Sequence, residues 1–316
     1  MTYLKNCICL LLLLPMYQLS SAQYTETINT NRPGQSQGAF APGKNVIQIE
    51  TGGLIGDEEH NLLNTESSLW GIDATVRYGF LMETLEVLFS TTYISEDIDQ
   101  IQGDNSVPFD RSGFPSLSLG AKYLVYDPYK VEEEVNIYSY HANRRFKWRS
   151  LIPAVAVYAG ANYIYSDNPF VTTDLEGFSP RAAIITQNNW GAWVWVNNFS
   201  GDFIGTDFPS YAWISTMTRS LTPRLAGFLE VQVIKSDLYA DDILRGGAAY
   251  LVSKNLQVDV SALTNFKDTP SRFNIAFGIA YRYDGMHADK RFDDDDEAPN
   301  YQEREARRKS RYGGGN

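Results

Sequence analysis

Charged side chains recur on the polar face of segments that alternate apolar and polar residues, and that spacing is the main chemistry this sequence offers. Across 68–80, Asp73 and Arg77 share a face with Gly71, Thr75 and Gly79, while Trp70, Ile72, Ala74, Val76 and Tyr78 form the other. Across 85–94, Glu86, Ser90 and Thr92 oppose Leu85, Val87, Phe89, Thr91 and Tyr93. Glu50, Lys122, Glu230, Arg245, Asp259 and Arg282 hold the same place in further segments. Acids and bases on one inner face could line a polar pathway with mild selectivity. They could equally pair into a network that fills a narrow interior, because buried charge must be matched. These nine residues are the candidate lumen-lining set, and the near balance of acid and base predicts a filled or gated lumen.

Other chemistry is sparse. A hydrolase needs a histidine oriented by an acid beside a nucleophile or water. His60 lies in a polar segment, His141 in a charged turn and His287 in the tail, none on a strand end with such partners. Asp57-Glu58-Glu59-His60 has the residue types of a divalent-cation loop, but an exposed acidic segment has the same composition. The sequence therefore predicts no catalytic residue, no metal site and no cofactor.

The charged rows need elements with a period of two and about ten residues each, which are the marks of tilted membrane strands. Strand-like segments fall near 45–54, 68–80, 85–94, 114–125, 152–165, 180–187, 192–200, 210–221, 225–235, 243–252, 256–264 and 273–283. About twelve strands, an even number, predict an all-β transmembrane antiparallel up-and-down barrel with lipid outside and a wet interior. The last segment is the clearest: Phe273, Ile275, Phe277, Ile279, Tyr281 and Tyr283 make an unbroken outer row, with Asn274, Gly278 and Arg282 inside. Segments 152–165, 192–200 and 210–221 are apolar or aromatic on both faces and have no orientation by pattern. A soluble sandwich accounts less well for the alternation, since it would need edge protection at both ends of each sheet.

Connections sort by length. Tight turns fall at 81–84, 188–191, 222–224 and 253–255, and longer polar segments at 55–67, 95–113, 166–179, 201–209, 236–242 and 265–272. Long outer loops and short periplasmic turns are the rule for outer-membrane barrels, which places both termini in the periplasm. The exception is 126–151, long and rich in charge and aromatics on the short-turn side.

Residues 1–22 read as a cleaved signal peptide: Lys5, an apolar run from Ile8 to Met16, then Ser20-Ser21-Ala22. Both cysteines, Cys7 and Cys9, lie within it, so the mature chain has no thiol or disulfide chemistry. A formal charge of −11 without a basic patch excludes nucleic acid as a partner. A lead at 23–43 reads as periplasmic, the barrel as 44–283, and 284–316 as a periplasmic tail with an acidic block at Asp293–Glu297 and a basic one at Arg304–Arg311. The tail's composition cannot bury a core, and disorder is its expected state.

Thr30-Asn31-Arg32-Pro33-Gly34-Gln35-Ser36, followed by Val46-Ile47-Gln48-Ile49-Glu50-Thr51-Gly52, resembles the opening of the outer-membrane transporter family named for the meta-pathway of phenol degradation. Val76-Arg77-Tyr78-Gly79-Phe80, Leu117-Ser118-Leu119-Gly120-Ala121-Lys122-Tyr123 and Asn255-Leu256-Gln257-Val258-Asp259 resemble its strand phrases. Asn31 stands where the family more often has Asp, and the charged tail lies outside its pattern. Ser21-Ala22-Gln23 with this lead resembles Bacteroidota exports. The resemblance implies an outer-membrane channel or transporter for small aromatic or apolar solutes, and it brings no catalytic or binding residues. The alternative is a non-conducting accessory barrel of a larger outer-membrane complex. Its partners would be outer-membrane lipid and protein subunits met through 126–151 and 284–316.

Overall fold

The structure, a computed structural model, describes residues 27–102, 105–130, 148–171 and 173–285. The signal segment, most of the 126–151 turn, nearly all of the tail, His141 and His287 lie outside the described residues.

Alternation becomes strand wherever the sequence shows it. The strands are β1 (Ile47–His60), β2 (Thr65–Gly79), β3 (Leu85–Gln102), β4 (Asn105–Gly113), β5 (Leu117–Tyr126), β6 (Ala154–Ile164) and β7 (Gly177–Trp190). They continue as β8 (Trp193–Asp202), β9 (Ser210–Ser220), β10 (Leu225–Ser236), β11 (Ala240–Ser253), β12 (Leu256–Asn265) and β13 (Ser271–Tyr283). All pairs are antiparallel neighbours, and β1 pairs both β2 and β13, with Ile47 opposite Tyr78 on one side and Tyr283 on the other, so the sheet closes. β4 and β5 occupy one wall position: β3 pairs β5 through 85–91 and β4 through 94–102. The wall thus has twelve positions, as the sequence predicts.

Closure abolishes sheet edges and satisfies the backbone without water, which is what a bilayer demands of a spanning chain. The outward rows carry the residues that lipid favours: Leu119, Leu229 and Phe277 are 57%, 56% and 56% exposed. Rings gather at both ends of these rows. Tyr93 contacts both Trp70 and Phe114 at the long-loop end, and Trp190 lies against Trp195 at the other. An apolar band of this kind around a closed barrel spans a membrane.

Two expected loops are strand. Residues 55–67 consist mainly of the ends of β1 and β2, joined by a turn at 61–64, and 95–113 is the β3–β4 hairpin. Above the lipid both faces of a strand are wet, so polar residues on both faces hide the period while the ladder persists. The same extension divides the acidic cluster. Glu58 faces inward to Arg272, with Nε–Oε2 at 2.8 Å, and Asp57 and Glu59 take the opposite face by alternation.

The larger departure concerns the lead. Expected as a periplasmic extension, it runs inside the barrel over its described part, 27–43. Its Ala39 joins a buried apolar cluster with Leu88, Leu124, Ala154, Ala156, Tyr158, Ile185 and Val196, against which Phe40 and Tyr129 pack. That cluster explains the unorientable segments: β6 and β8 are apolar inward because they face the lead, and apolar outward because they face lipid.

Candidate functional site: the stoppered lumen

The inward rows bring the candidate charges together in four groups. The first spans four wall positions. Arg77 reaches Glu50 (Nη1–Oε1 3.2 Å) and Glu86 (Nη2–Oε2 2.9 Å), and Lys122 reaches the other oxygen of Glu86 (Nζ–Oε1 2.6 Å). All four side chains are buried. Glu86 and Lys122 face each other directly across β3 and β5. Two bases and two acids make the group neutral, which is how such a cluster tolerates burial.

The lead completes this group. Arg77 donates to the carbonyls of Asn29 (2.9 Å) and Phe40 (3.3 Å), and the Asn31 N–H donates to Glu50 (3.2 Å). Lys122 donates to the carbonyls of Gly38 and Phe40. Gln48 donates to Glu50 (2.6 Å) and to the Asn29 carbonyl (3.0 Å).

The second group turns on Arg32, the only charged residue of the phrase Thr30–Ser36. Its guanidinium meets Asp259 through Nε–Oδ2 (3.2 Å) and Nη2–Oδ1 (3.3 Å), and Asp73 through Nη1. The fork on Asp259 is the bidentate geometry that makes arginine–carboxylate pairs strong and directional. Space for it comes from Gly52 and Gly278, which face each other across β1 and β13. A Cβ at either would meet the Arg32 guanidinium. Two carboxylates from distant strands are thus neutralised in part by one cation from outside the wall.

Glu230 anchors the third group. It pairs with Arg245 directly across β10 and β11 and accepts from Thr216 Oγ1 (2.6 Å). It also accepts the backbone N–H groups of Gln35 (3.0 Å) and Ser36 (3.2 Å). Gly34 lies against its carboxylate, where a Cβ would collide with it. The fourth group lies at the end of β13. Arg282 donates to Asn255 Oδ1 (2.8 Å) and lies 3.7 Å from Asp284.

Wall amides hold the rest of the lead. Asn198 accepts from the Gln37 N–H (2.6 Å) and donates to the Gln37 carbonyl (2.9 Å), mimicking one rung of a sheet. Gln187 accepts from the Ala39 N–H (2.9 Å), and Gln257 donates to Thr30 Oγ1 (2.9 Å). Near the short turns, Ile28 donates to the Lys254 carbonyl (2.8 Å) and the Lys44 N–H donates to Glu83 (2.9 Å). Between lead and wall lies a cavity of about 810 Å³ whose lining mixes Val194, Val196 and Phe228 with Thr216, Thr218 and Gln257.

All nine candidates therefore lie on the inward face, and eight of them engage a wall partner, the lead or both in the first three groups, with Arg282 in the fourth. Pattern reading missed Arg32, Gln48, Gln187, Asn198 and Gln257. The only signal for Arg32 was its place as the lone charge in an otherwise neutral phrase; the amides had none beyond falling on alternate positions.

The match that decides the family runs over residues 30–283, and so includes the lead from Thr30 as well as the wall. The chain belongs to the family described as "Putative MetA-pathway of phenol degradation". Among solved structures it is similar to an outer membrane channel from Pseudomonas putida F1, with 12% identity, 81% of this chain and 100% of that one covered, and a TM-score of 0.48. It is also similar to the KdgM porin in complex with disordered oligogalacturonate (8% identity, 74% and 98% covered, TM-score 0.43) and to the NanC porin (5%, 72% and 98%, 0.43). No match was found among curated protein sequences.

Proposed function

We propose that the protein is an outer-membrane channel for small solutes, with its short turns and both chain ends in the periplasm and its lumen stoppered by its own lead. The observation that carries this reading is the interior cavity of about 810 Å³ inside a membrane-spanning barrel. A barrel serving only as a scaffold needs no such space. The lead is held over 29–40 by side chains of the wall rather than by strand pairing, so its bonds exchange singly and water can replace them. The cavity's mixed lining suits small aromatic or apolar solutes that carry a hydroxyl or other uncharged polar group. Of the charged residues in the lining, Arg32 is already held by Asp73 and Asp259, and a charged solute would meet Asp127 and Lys130 besides.

Solute flux into proteoliposomes and single-channel conductance test the reading. A cysteine pair, Gln37→Cys with Asn198→Cys, would tie the lead to β8 at the point where the two residues exchange hydrogen bonds. Conductance and flux should fall in the oxidised pair and return on reduction. Absence of both in the wild-type protein, together with co-purifying membrane proteins, would replace the channel with the accessory-barrel reading.

A further inference from the structure

One part of the lipid-facing wall is not apolar. Thr186 and Asn188 of β7, Asn197 of β8 and Ser215 of β9 lie on outward rows that elsewhere carry Ile184, Phe199 and Trp213. Asn188 and Asn197 are only 5% and 7% exposed. Some of their capacity is used. Asn188 Nδ2 donates to the Leu151 carbonyl (3.2 Å) and, beside it, Trp190 Nε1 donates to the Ser150 carbonyl (2.6 Å), pinning the 3-10 turn Trp148–Leu151 against the outside of the barrel. Trp213 Nε1 donates to Asn197 Oδ1 (3.4 Å), and Trp195 Nε1 to Ser215 Oγ (2.9 Å). The Asn197 Nδ2 group has no acceptor among the described residues.

Asn197 lines a groove of about 570 Å³. Trp195 forms one side, and Phe199 stacked on Trp213 (centroids 6.4 Å apart, planes at 10°) forms another. Leu151 and Pro153 also line it, and no lining residue is charged. Asn197 is six residues from Gly191 in the β7–β8 turn; at about 3.3 Å per residue and a tilt near 45°, it stands roughly 14 Å above the turn. Trp195 lies nearer the turn, among the rings that mark the headgroup level. Asn197 is therefore one step further into the membrane, where the ester carbonyls of the adjoining leaflet begin. Water thins out at that depth, so a donor that the protein leaves unpaired gains from a lipid acceptor.

We infer that this groove holds one phospholipid of the leaflet next to the short turns, with a glycerol ester carbonyl accepting from Asn197 Nδ2 and an acyl chain lying between Trp195 and the Phe199–Trp213 stack. The occupant is lipid because the groove is continuous with the lipid-facing band. Selection is for the ester and the chain rather than the headgroup, because the lining offers no charge.

The test is native mass spectrometry of the delipidated full-length protein in detergent, titrated with phosphatidylethanolamine, phosphatidylglycerol and the ether-linked analogue of each. Wild type should retain one lipid, bind the two headgroups alike, and bind the ether analogues about three- to tenfold more weakly, the worth of one hydrogen bond. Asn197→Leu should bind ester and ether lipids equally and at the weaker level, whereas Phe277→Leu, on a different stretch of the outer wall, should behave as wild type. Equal binding of ester and ether lipids by the wild type overturns the inference, and this comparison stands even if Asn197→Leu fails to fold. A dimer that Asn197→Leu abolishes, with no retained lipid, would overturn it in favour of a second copy of the chain.

Discussion

Arg77 is the residue whose removal should reveal how the lumen is built. It has no exposure, two carboxylate partners and two carbonyls of the lead. Arg77→Met keeps most of its length but leaves Glu50 and Glu86 to share the single ammonium of Lys122, with one buried negative charge unmatched. Breaking a buried pair from one side costs about 3–5 kcal/mol, because the remaining charge stays desolvated. Arg77→Met with Glu50→Gln instead leaves the neutral Glu86–Lys122 pair, and should be less destabilised than Arg77→Met alone, with a coupling of about 1–3 kcal/mol. Urea unfolding of the barrel in phospholipid vesicles, followed by tryptophan fluorescence, measures both. If the single change costs under about 1 kcal/mol and the two changes simply add, the cluster is solvated and the lumen is an open polar passage rather than a stoppered one.

Three further outcomes follow from the same geometry. Gly278→Val should push Arg32 off Asp73 and Asp259, loosening the lead and raising conductance; unchanged conductance with a normally assembled barrel would show that Arg32 does not hold the stopper. Phe277→Arg should impair membrane assembly at a cost of about 2–4 kcal/mol near the midplane, while Ser90→Arg, on the inward face, should still assemble; heat-modifiable gel mobility reads both, and the reverse order would invert the assigned faces. At the β10–β11 turn, burial and then the hydrogen bond to Asp241 hold the Tyr239 phenol above its ordinary range. The stabilisation is complete below about pH 10 and declines as pH rises above it, so the wild type should lose melting temperature in alkali and Tyr239→Phe should lose less.

Strand faces were legible wherever one side meets lipid and the other meets charge, as in Phe273–Tyr283 and Leu85–Tyr93. Strand ends were less so, because 55–67 and 95–113 rise past the membrane and become polar on both faces while keeping their ladder. The nine inner charges were found by alternation alone, but their pairing was not, since Asp73 and Asp259 meet through Arg32 rather than through a base on the wall. The lead itself was opaque. Its bonds to Glu230, Asn198 and Gln187 use backbone N–H groups, which every residue but proline has, so no side-chain pattern records them. The apolar inner faces of β6 and β8 looked ambiguous for the same reason: their partner was a short run of Ala39 and Phe40 that has no period.

The route of the lead through the barrel bears on whether it can ever leave. Ile28 is tied to the β11–β12 turn through Lys254, and Lys44 to the β2–β3 turn through Glu83, and both turns belong to the same end of the barrel. The segment between them therefore enters and returns through one mouth, as a bight of rope rather than a thread drawn through a needle. A bight can be pushed in after the β1–β13 seam has closed, and pulled out again without parting it. Insertion and withdrawal by that route would be local events that break the bonds between lead and wall and leave every rung of the wall intact.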